Sequence, residues 1–261
     1  MSPPPFRAKK RLGQHFLVDE NLLGVIGRLA RLGVADQVLE IGPGLGVLTA
    51  YLAERVAHVD SVELDQGLES HLRERFADGE KVSLHFGDAL ALDLALLAPR
   101  ATKLVANLPY NIATPLIVES LVGLPQIELW CVMVQRELAD RLFASPGTKA
   151  YGAVSVLVQL ATERSGFHAV SREVFRPRPR VESALVAFVR KPMPENFAQI
   201  KRVVTAAFAY RRKTLANSLS IAGLASRELA EAGLAQIDRD SRSRAEALAP
   251  AEFVALTEAL S

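Results

Sequence analysis

Apolar and polar positions alternate along the first 140 or so residues in a way that predicts short strands separated by helices. Gln37 to Ile41 is a short apolar run ending in a glycine-rich turn, and Val47 to Arg55 follows with helical spacing. Together they read as strand, loop and helix, the opening of an α/β unit. Further apolar runs at Val59 to Leu64, Val82 to Phe86, Lys103 to Asn107 and Leu129 to Gln135 predict strands, with helical stretches such as Gln66 to Phe76 and Pro115 to Val122 between them. Strands alternating with helices predict an α/β, Rossmann-like fold with a mainly parallel, doubly wound sheet. Near Tyr151 the pattern loosens, and Phe175-Arg176-Pro177-Arg178-Pro179-Arg180 breaks any helix. After Lys191-Pro192-Met193-Pro194 the chain is helical in character over Glu195 to Ala209, Arg212 to Ile221, Ser226 to Ala232 and Pro250 to Leu260. The expected organisation is therefore residues 1–191 as one domain with a basic N-terminal arm, and residues 195–261 as a small all-helical domain.

Composition narrows the class. With 49% apolar residues in 261, the chain can bury a sizeable core, as a soluble globular enzyme does. No apolar run approaches the roughly 18 to 20 residues that a spanning helix needs. The start reads Ser2-Pro3-Pro4-Pro5 followed by Arg7, Lys9, Lys10 and Arg11, with no apolar core of a secretory signal, so a cytoplasmic protein is expected. The single cysteine, Cys131, lies among apolar neighbours and reads as a buried strand residue.

Charge is segregated more strongly than the net value of +2 suggests. Between Arg164 and Lys213 there are 12 Lys or Arg against three acids (Glu173, Glu182, Glu195), a local balance of +9 that leaves −7 for the rest. Such asymmetry points to a basic face for a polyanion, joined by the basic N-terminal arm. Candidate contacts are Lys9, Lys10 and Arg11 in the arm, Arg176 and Arg178 in the proline-rich stretch, and Arg211, Arg212 and Lys213 in the helical part.

The loop Glu40-Ile41-Gly42-Pro43-Gly44-Leu45-Gly46 sets three glycines where a strand turns into a helix, which lets backbone approach a ligand closely. Glu63 at the end of the next strand can accept both hydroxyls of a ribose, so a nicotinamide dinucleotide and S-adenosylmethionine both fit at this point. Gly87-Asp88-Ala89 brings a second carboxylate to the same edge of the sheet, where Asp88 can accept from an adenine amino group or else cap the next helix.

Asn107-Leu108-Pro109-Tyr110, directly after the fourth strand, decides between them. The lone pair of a purine's exocyclic amino group is delocalised into the ring, so the nitrogen is a poor nucleophile. Two acceptors, the Asn107 side-chain carbonyl and a backbone carbonyl near Leu108, can take both amino hydrogens and draw the nitrogen toward tetrahedral geometry. Its lone pair then faces a methyl donor. Pro109 stiffens the turn, and Tyr110 offers a ring on which an extracted base can stack. Neither this chemistry nor the scattered histidines (His15, His58, His71, His85, His168) calls for a metal.

With these residues in view, the chain resembles the small-subunit (16S) ribosomal RNA adenine dimethyltransferases, which carry a class I methyltransferase fold. The likeness runs almost end to end: Lys10-Arg11-Leu12-Gly13-Gln14-His15-Phe16-Leu17, the Glu40 to Gly46 loop, Val62-Glu63-Leu64-Asp65, Gly87-Asp88-Ala89, Asn107 to Ile112, Gln135-Arg136-Glu137, Tyr151-Gly152, Phe175 to Ala184 and Arg211 to Leu219. The resemblance implies S-adenosylmethionine as methyl donor, bordered by His15, Leu17, Gly42, Gly44, Glu63, Asp88, Ala89 and Asn107. It implies Asn107 and Leu108 at the reactive centre, and a target base sandwiched between Tyr110 and Phe175. It further implies N6,N6-dimethylation of two adjacent adenosines in the 3′-terminal hairpin loop of 16S RNA, within a partly assembled subunit; nothing in the sequence marks an oligomer, so a monomer is the default expectation. His15 stands where some relatives carry Asn, and its imidazole can still donate or accept there, so its role is expected to survive; Ala247 stands where relatives often carry Asn, which puts a minor helix-packing or RNA contact in doubt.

Two rivals remain in play. The 23S ribosomal RNA adenine methyltransferases of macrolide resistance resemble the same turn, but Leu108, His15 and the Phe175 to Ala184 motif disfavour them. A nucleic-acid-binding relative that lost catalysis is disfavoured by Gly42, Glu63, Asp88 and Asn107.

Overall fold

A computed structural model describes residue 9, residues 12–77 and residues 79–260. The chain divides into two compact units, Met1–Ala139 with Arg164–Arg190, and Asp140–Glu163 with Lys191–Ser261.

The first unit is an α/β sheet of Rossmann-like design. Its elements run β1 (Phe16–Leu17), α1 (Glu20–Leu29), β2 (Gln37–Ile41), α2 (Val47–Ala53), β3 (His58–Glu63), α3 (Glu69–Arg75), β4 (Val82–Phe86), α4 (Leu94–Leu97), β5 (Lys103–Asn107), α5 (Ala113–Gly123) and β6 (Leu129–Gln135). Helix α6 (Arg136–Leu142) leads out to the second unit and its first helix, α7 (Ala153–Ala161), and the chain returns through β7 (Thr162–Val170), β8 (Phe175–Arg176) and β9 (Ser183–Arg190). The seven-stranded sheet has the order β4-β3-β2-β5-β6-β9-β7, while β1 and β8 form a separate antiparallel pair.

The five strands foreseen from apolar runs pair in parallel, with β2 bonded to β3 on one side and β5 on the other. Strand order therefore reverses between β2 and β5, and a crevice opens beyond their carboxyl ends, where such sheets bind ligands. Strand β9 runs antiparallel to β6 in full register from Leu129↔Val189 to Gln135↔Ser183. Its central residues are buried on both faces, as are those of β6, so neither strand alternates. Trp130 stacks on Phe188 with ring centroids 5.3 Å apart, and the Trp130 indole donates to Ser120 Oγ at 2.9 Å. Arg190 donates to the carbonyls of Leu121 in the last turn of α5 and of Leu124 and Ile127 in the turn that follows it.

Helix starts follow local chemistry. Asp19 caps α1 by accepting from Leu22 N–H, and Asp93 caps α4 by accepting from Leu96 N–H. Asp88 caps no helix; its carboxylate closes a turn by accepting from Leu90 N–H at 2.9 Å.

The second unit holds α7 with α8 (Phe197–Ala209), α9 (Leu215–Ile221), α10 (Arg227–Gln236) and α11 (Pro250–Ala259). The sequence predicts one boundary near residue 191, whereas the chain crosses between units three times, because Asp140–Glu163 clusters with the C-terminal helices. The reason is apolar cover: Val154, Val156, Leu157 and Leu160 of α7 are buried, and the buried Tyr151 hydroxyl donates to Leu248 O at 2.8 Å. Gly147 N–H also donates to Glu246 O at 2.7 Å. Ala247 lies exposed at the end of a short 3-10 turn. Among the described residues no helix is long and apolar enough to cross a membrane.

Candidate functional site

One pocket gathers the chemistry that the sequence spreads over a hundred residues. It lies in the first unit at the carboxyl ends of β2, β3, β4 and β5, and His15, Leu17, Gly42, Gly44, Glu63, Asp88, Ala89, Asn107, Leu108 and Tyr110 all line it.

Its floor is the glycine-rich turn between β2 and α2. Gly42 has φ +75° and Gly44 φ +59°, left-handed conformations that favour glycine. A Cβ on Gly42 would sit 3.4 Å from Pro109, and one on Gly44 would sit 3.0 Å from the Phe16 ring. The turn is thus packed against the Asn-Leu-Pro-Tyr turn on one side and the N-terminal arm on the other.

Glu63 ends β3 with 6% exposure. One of its oxygens accepts from Gly44 N–H at 3.0 Å and the other from Asp65 N–H at 2.8 Å. Burial pushes its pKa up, against these two bonds. The amides hold the carboxylate while each oxygen keeps a second lone pair for ribose hydroxyls. Asp88, exposed at the end of β4, has one oxygen used in its own turn and lines the pocket on the same side. A positive-φ cradle beside two carboxylates at successive strand ends fits an adenosyl ligand.

Asn107 ends β5, directly across the switch point from Gly42. Its amide N–H donates to the backbone carbonyl of His15 at 3.1 Å, which directs the amide's oxygen away from the arm. Leu108 is 1% exposed and its N–H donates to Met133 O at 3.1 Å, fixing the turn to β6. The Tyr110 hydroxyl shares a 2.6 Å hydrogen bond with Ser183 Oγ, and its ring lies 5.7 Å from the His15 ring. The His15 Nδ1 is 2.7 Å from Pro177 O.

Phe175 departs from its expected place. It is fully buried in the core with Leu17, Leu22 and Leu185, pairs with Leu17 across β1 and β8, and does not line the pocket. The apolar side of a ring that sequence reading assigns to a base is instead covered by the sheet. The ring nearest Tyr110 among the described residues is that of His15.

The basic candidates divide as well. Lys9 is tied to Asp65 by an ion pair, Arg178 pairs with Glu173 at 2.6 Å, and Arg176 donates to the carbonyls of Glu173 and Phe175. Arg211, Arg212 and Lys213 are exposed between α8 and α9, with Arg211 loosely bonded to Lys149 O at 3.3 Å. Lys10 and Arg11 lie outside the described residues.

Sequence reading misses three polar residues of the site. Glu40 is 1% exposed and accepts on one oxygen from Thr49 Oγ1 at 2.7 Å and Ser61 Oγ at 2.5 Å. Burial, the largest cause, pushes its pKa up to about 7. Asp65 and Ser183 act on pocket residues from behind them. Ser183 stands in a recognised motif, but nothing local marks it as a partner of Tyr110, 73 positions away. Among the described residues no group of three or more His, Cys, Asp or Glu side chains is placed to hold a metal ion.

Comparison with known proteins follows the same lines. Residues 5–260 match the family model described as ribosomal RNA adenine dimethylase. A ribosomal RNA small subunit methyltransferase A of Rubrobacter xylanophilus is 46% identical over 98% of this chain and 96% of its own length. The protein of that name from Lactiplantibacillus plantarum is 42% identical over 97% of this chain and 90% of its own. Among solved structures, a dimethyladenosine transferase of Plasmodium falciparum shares the fold with TM-score 0.76 at 24% identity, covering 93% of this chain and 96% of that one. The 23S rRNA methyltransferase ErmE superposes with TM-score 0.68 at 25% identity, covering 94% and 99%.

Proposed function

Because the chain belongs to the ribosomal RNA adenine dimethylase family, we propose that it transfers methyl groups from S-adenosylmethionine to two adjacent adenosines in the 3′-terminal hairpin loop of 16S ribosomal RNA, producing N6,N6-dimethyladenosine during small-subunit biogenesis. The observation that carries this reading is the placement of Asn107 across the strand switch point from the Gly42 turn, with its amide oxygen directed away from the arm.

S-Adenosylmethionine, when bound, supplies an electrophilic sulfonium methyl. Glu63 holds the ribose hydroxyls, Asp88 accepts from the adenine amino group, and Gly42 and Gly44 let backbone approach the remainder. The target adenosine leaves its stack and enters against the Tyr110 ring. Asn107 Oδ1 and the Leu108 carbonyl accept the two amino hydrogens, so the nitrogen lone pair is withdrawn from the ring and becomes available for attack. The proton is lost afterwards to solvent, so the site works through position and two fixed acceptors, without a strong base. A second round on the same nitrogen requires room for a monomethylated base, with one acceptor then idle.

Phosphate contacts fall mainly on the exposed Arg212 and Lys213 and on Arg211, whose internal contacts are long (Lys149 O at 3.3 Å, Tyr151 O at 3.5 Å and Glu246 at 4.0 Å), whereas Lys9 and Arg178 are held in short ion pairs and Arg176 by two backbone carbonyls. The substrate is the RNA of a partly assembled subunit, and the enzyme acts in the cytoplasm as a monomer.

The test is to incubate the protein with labelled S-adenosylmethionine and undermethylated small subunits or large subunits, then map the modified base by mass spectrometry. Dimethyladenosine at adjacent small-subunit positions is the expected result. Label confined to large-subunit RNA would transfer the protein to the ErmE-like activity, and RNA binding without transfer would make it a non-catalytic relative.

A further inference from the structure

The acceptor amide of Asn107 is oriented by the N-terminal arm, and the arm is held by a residue outside the pocket. An Asn side chain offers an acceptor at one end and a donor at the other. Turned by 180°, Asn107 would present N–H groups to the amino group it must accept from. The backbone carbonyl of His15 can only accept, so its 3.1 Å contact with Nδ2 selects the productive orientation.

What places that carbonyl is Asp65. The Gln14 side chain donates to Asp65 Oδ2 at 2.9 Å, and the Lys9 ammonium pairs with Oδ1. Lys9 N–H in turn donates to Gln14 Oε1 at 2.7 Å, which closes a ring of contacts around the arm. Both Asp65 oxygens are therefore occupied, and Asp65 does not line the pocket. Among the described residues the arm's other polar ties include the 2.7 Å contact of the His15 Nδ1 with Pro177 O and the Val18 N–H bond to Val174 O at 2.9 Å. Strand β1 is two residues long and pairs with only two residues of β8, although Phe16 is buried against Leu68 and Leu72. Gln14 is one peptide bond from His15, so the Asp65 tie acts next to the carbonyl that matters.

We propose that Asp65 is a positioning residue: through Lys9 and Gln14 it straps the arm across the site, sets the His15 carbonyl against Asn107, and so fixes which end of the amide meets the target nitrogen. This rests on Asn107 being the acceptor for the target amino group.

The experiment compares Asp65→Asn and Gln14→Ala with the unaltered protein. Asp65→Asn keeps an acceptor for the turn that Asp65 caps at Gly67, and Gln14→Ala leaves that cap untouched. Methyl transfer to undermethylated small subunits is measured over a range of cofactor and RNA concentrations, with a thermal melt of each variant. Each should lower kcat about tenfold, the size of one lost hydrogen-bonded orientation, while KM for cofactor and RNA changes by less than about threefold. The double variant should fall little below either single one, because both cut the same strap. An unchanged kcat in the folded Gln14→Ala protein, or a loss confined to KM, would overturn the inference. Asn107→Ala, assayed alongside, separates the two levels: if it abolishes transfer while the folded strap variants keep an unchanged kcat, only the strap is wrong. If it transfers normally, the reading of the site itself fails.

Discussion

The hydroxyls of Tyr110 and Ser183 lie 2.6 Å apart, and Ser183 is 1% exposed at the first residue of β9. A buried strand residue thus anchors the hydroxyl end of the ring on which the target base is proposed to stack. Burial pushes the Tyr110 pKa up, so the phenol keeps its proton through the neutral range. Tyr110→Phe and Ser183→Ala each remove the same bond and should each slow methyl transfer roughly fivefold, the effect of about 1 kcal/mol. Single-turnover assays of both variants and their combination form the check. The double variant should be no slower than the worse single one; fully additive losses would show that the hydroxyls act separately.

Phe175 belongs to the core, so its truncation should read out in stability. Phe175→Ala is expected to destabilise the first unit by about 3–5 kcal/mol, whereas Phe175→Leu should cost less than about 1.5 kcal/mol. In denaturant melts the two variants should separate accordingly, with transfer by the Leu variant close to normal. A Leu variant with an unchanged melt and strongly reduced transfer would restore the ring to the base pocket.

Arg211, Arg212 and Lys213 carry the prediction on RNA. Reversing all three charges should weaken binding to small-subunit RNA and reduce the slope of log K against log salt by roughly 0.7 to 0.9 for each phosphate that is no longer neutralised. Filter binding from low to moderate salt measures it. Weaker binding with an unaltered slope would mean that the trio shapes the unit without touching phosphate.

Glu40 predicts a pH dependence. Its folded pKa lies near 7 against an ordinary 4.5, so between those values the folded chain retains a proton that the unfolded chain has released. Stability from this group is therefore greatest below pH 4.5 and declines as pH rises toward 7, by about 3 kcal/mol in all. Glu40→Gln mimics the protonated form, since its oxygen can still accept from Thr49 and Ser61. Melts of the two proteins should converge at low pH and diverge toward neutrality, with the Gln variant the more stable. Parallel curves would show that Glu40 ionises normally.

Local features are the ones legible in the chain before it folds. The five parallel strands are legible because each is a short apolar run bounded by a turn, and the glycines of the Gly42 turn because a left-handed backbone demands them. Asn107 is legible because the chemistry of an amino group calls for fixed acceptors at a strand end. Whatever depends on a distant partner is settled only in three dimensions. An apolar run at Ser183–Arg190 does not say that it will lie antiparallel beside β6, and the apolar face of α7 does not say that C-terminal helices will cover it. Lys9 reads as a free cation until Asp65 arrives from 56 positions away, and Phe175 reads as a stacking ring until the sheet closes over it. Charge and aromaticity are properties of one residue, whereas burial and pairing are properties of two, and only folding chooses the second.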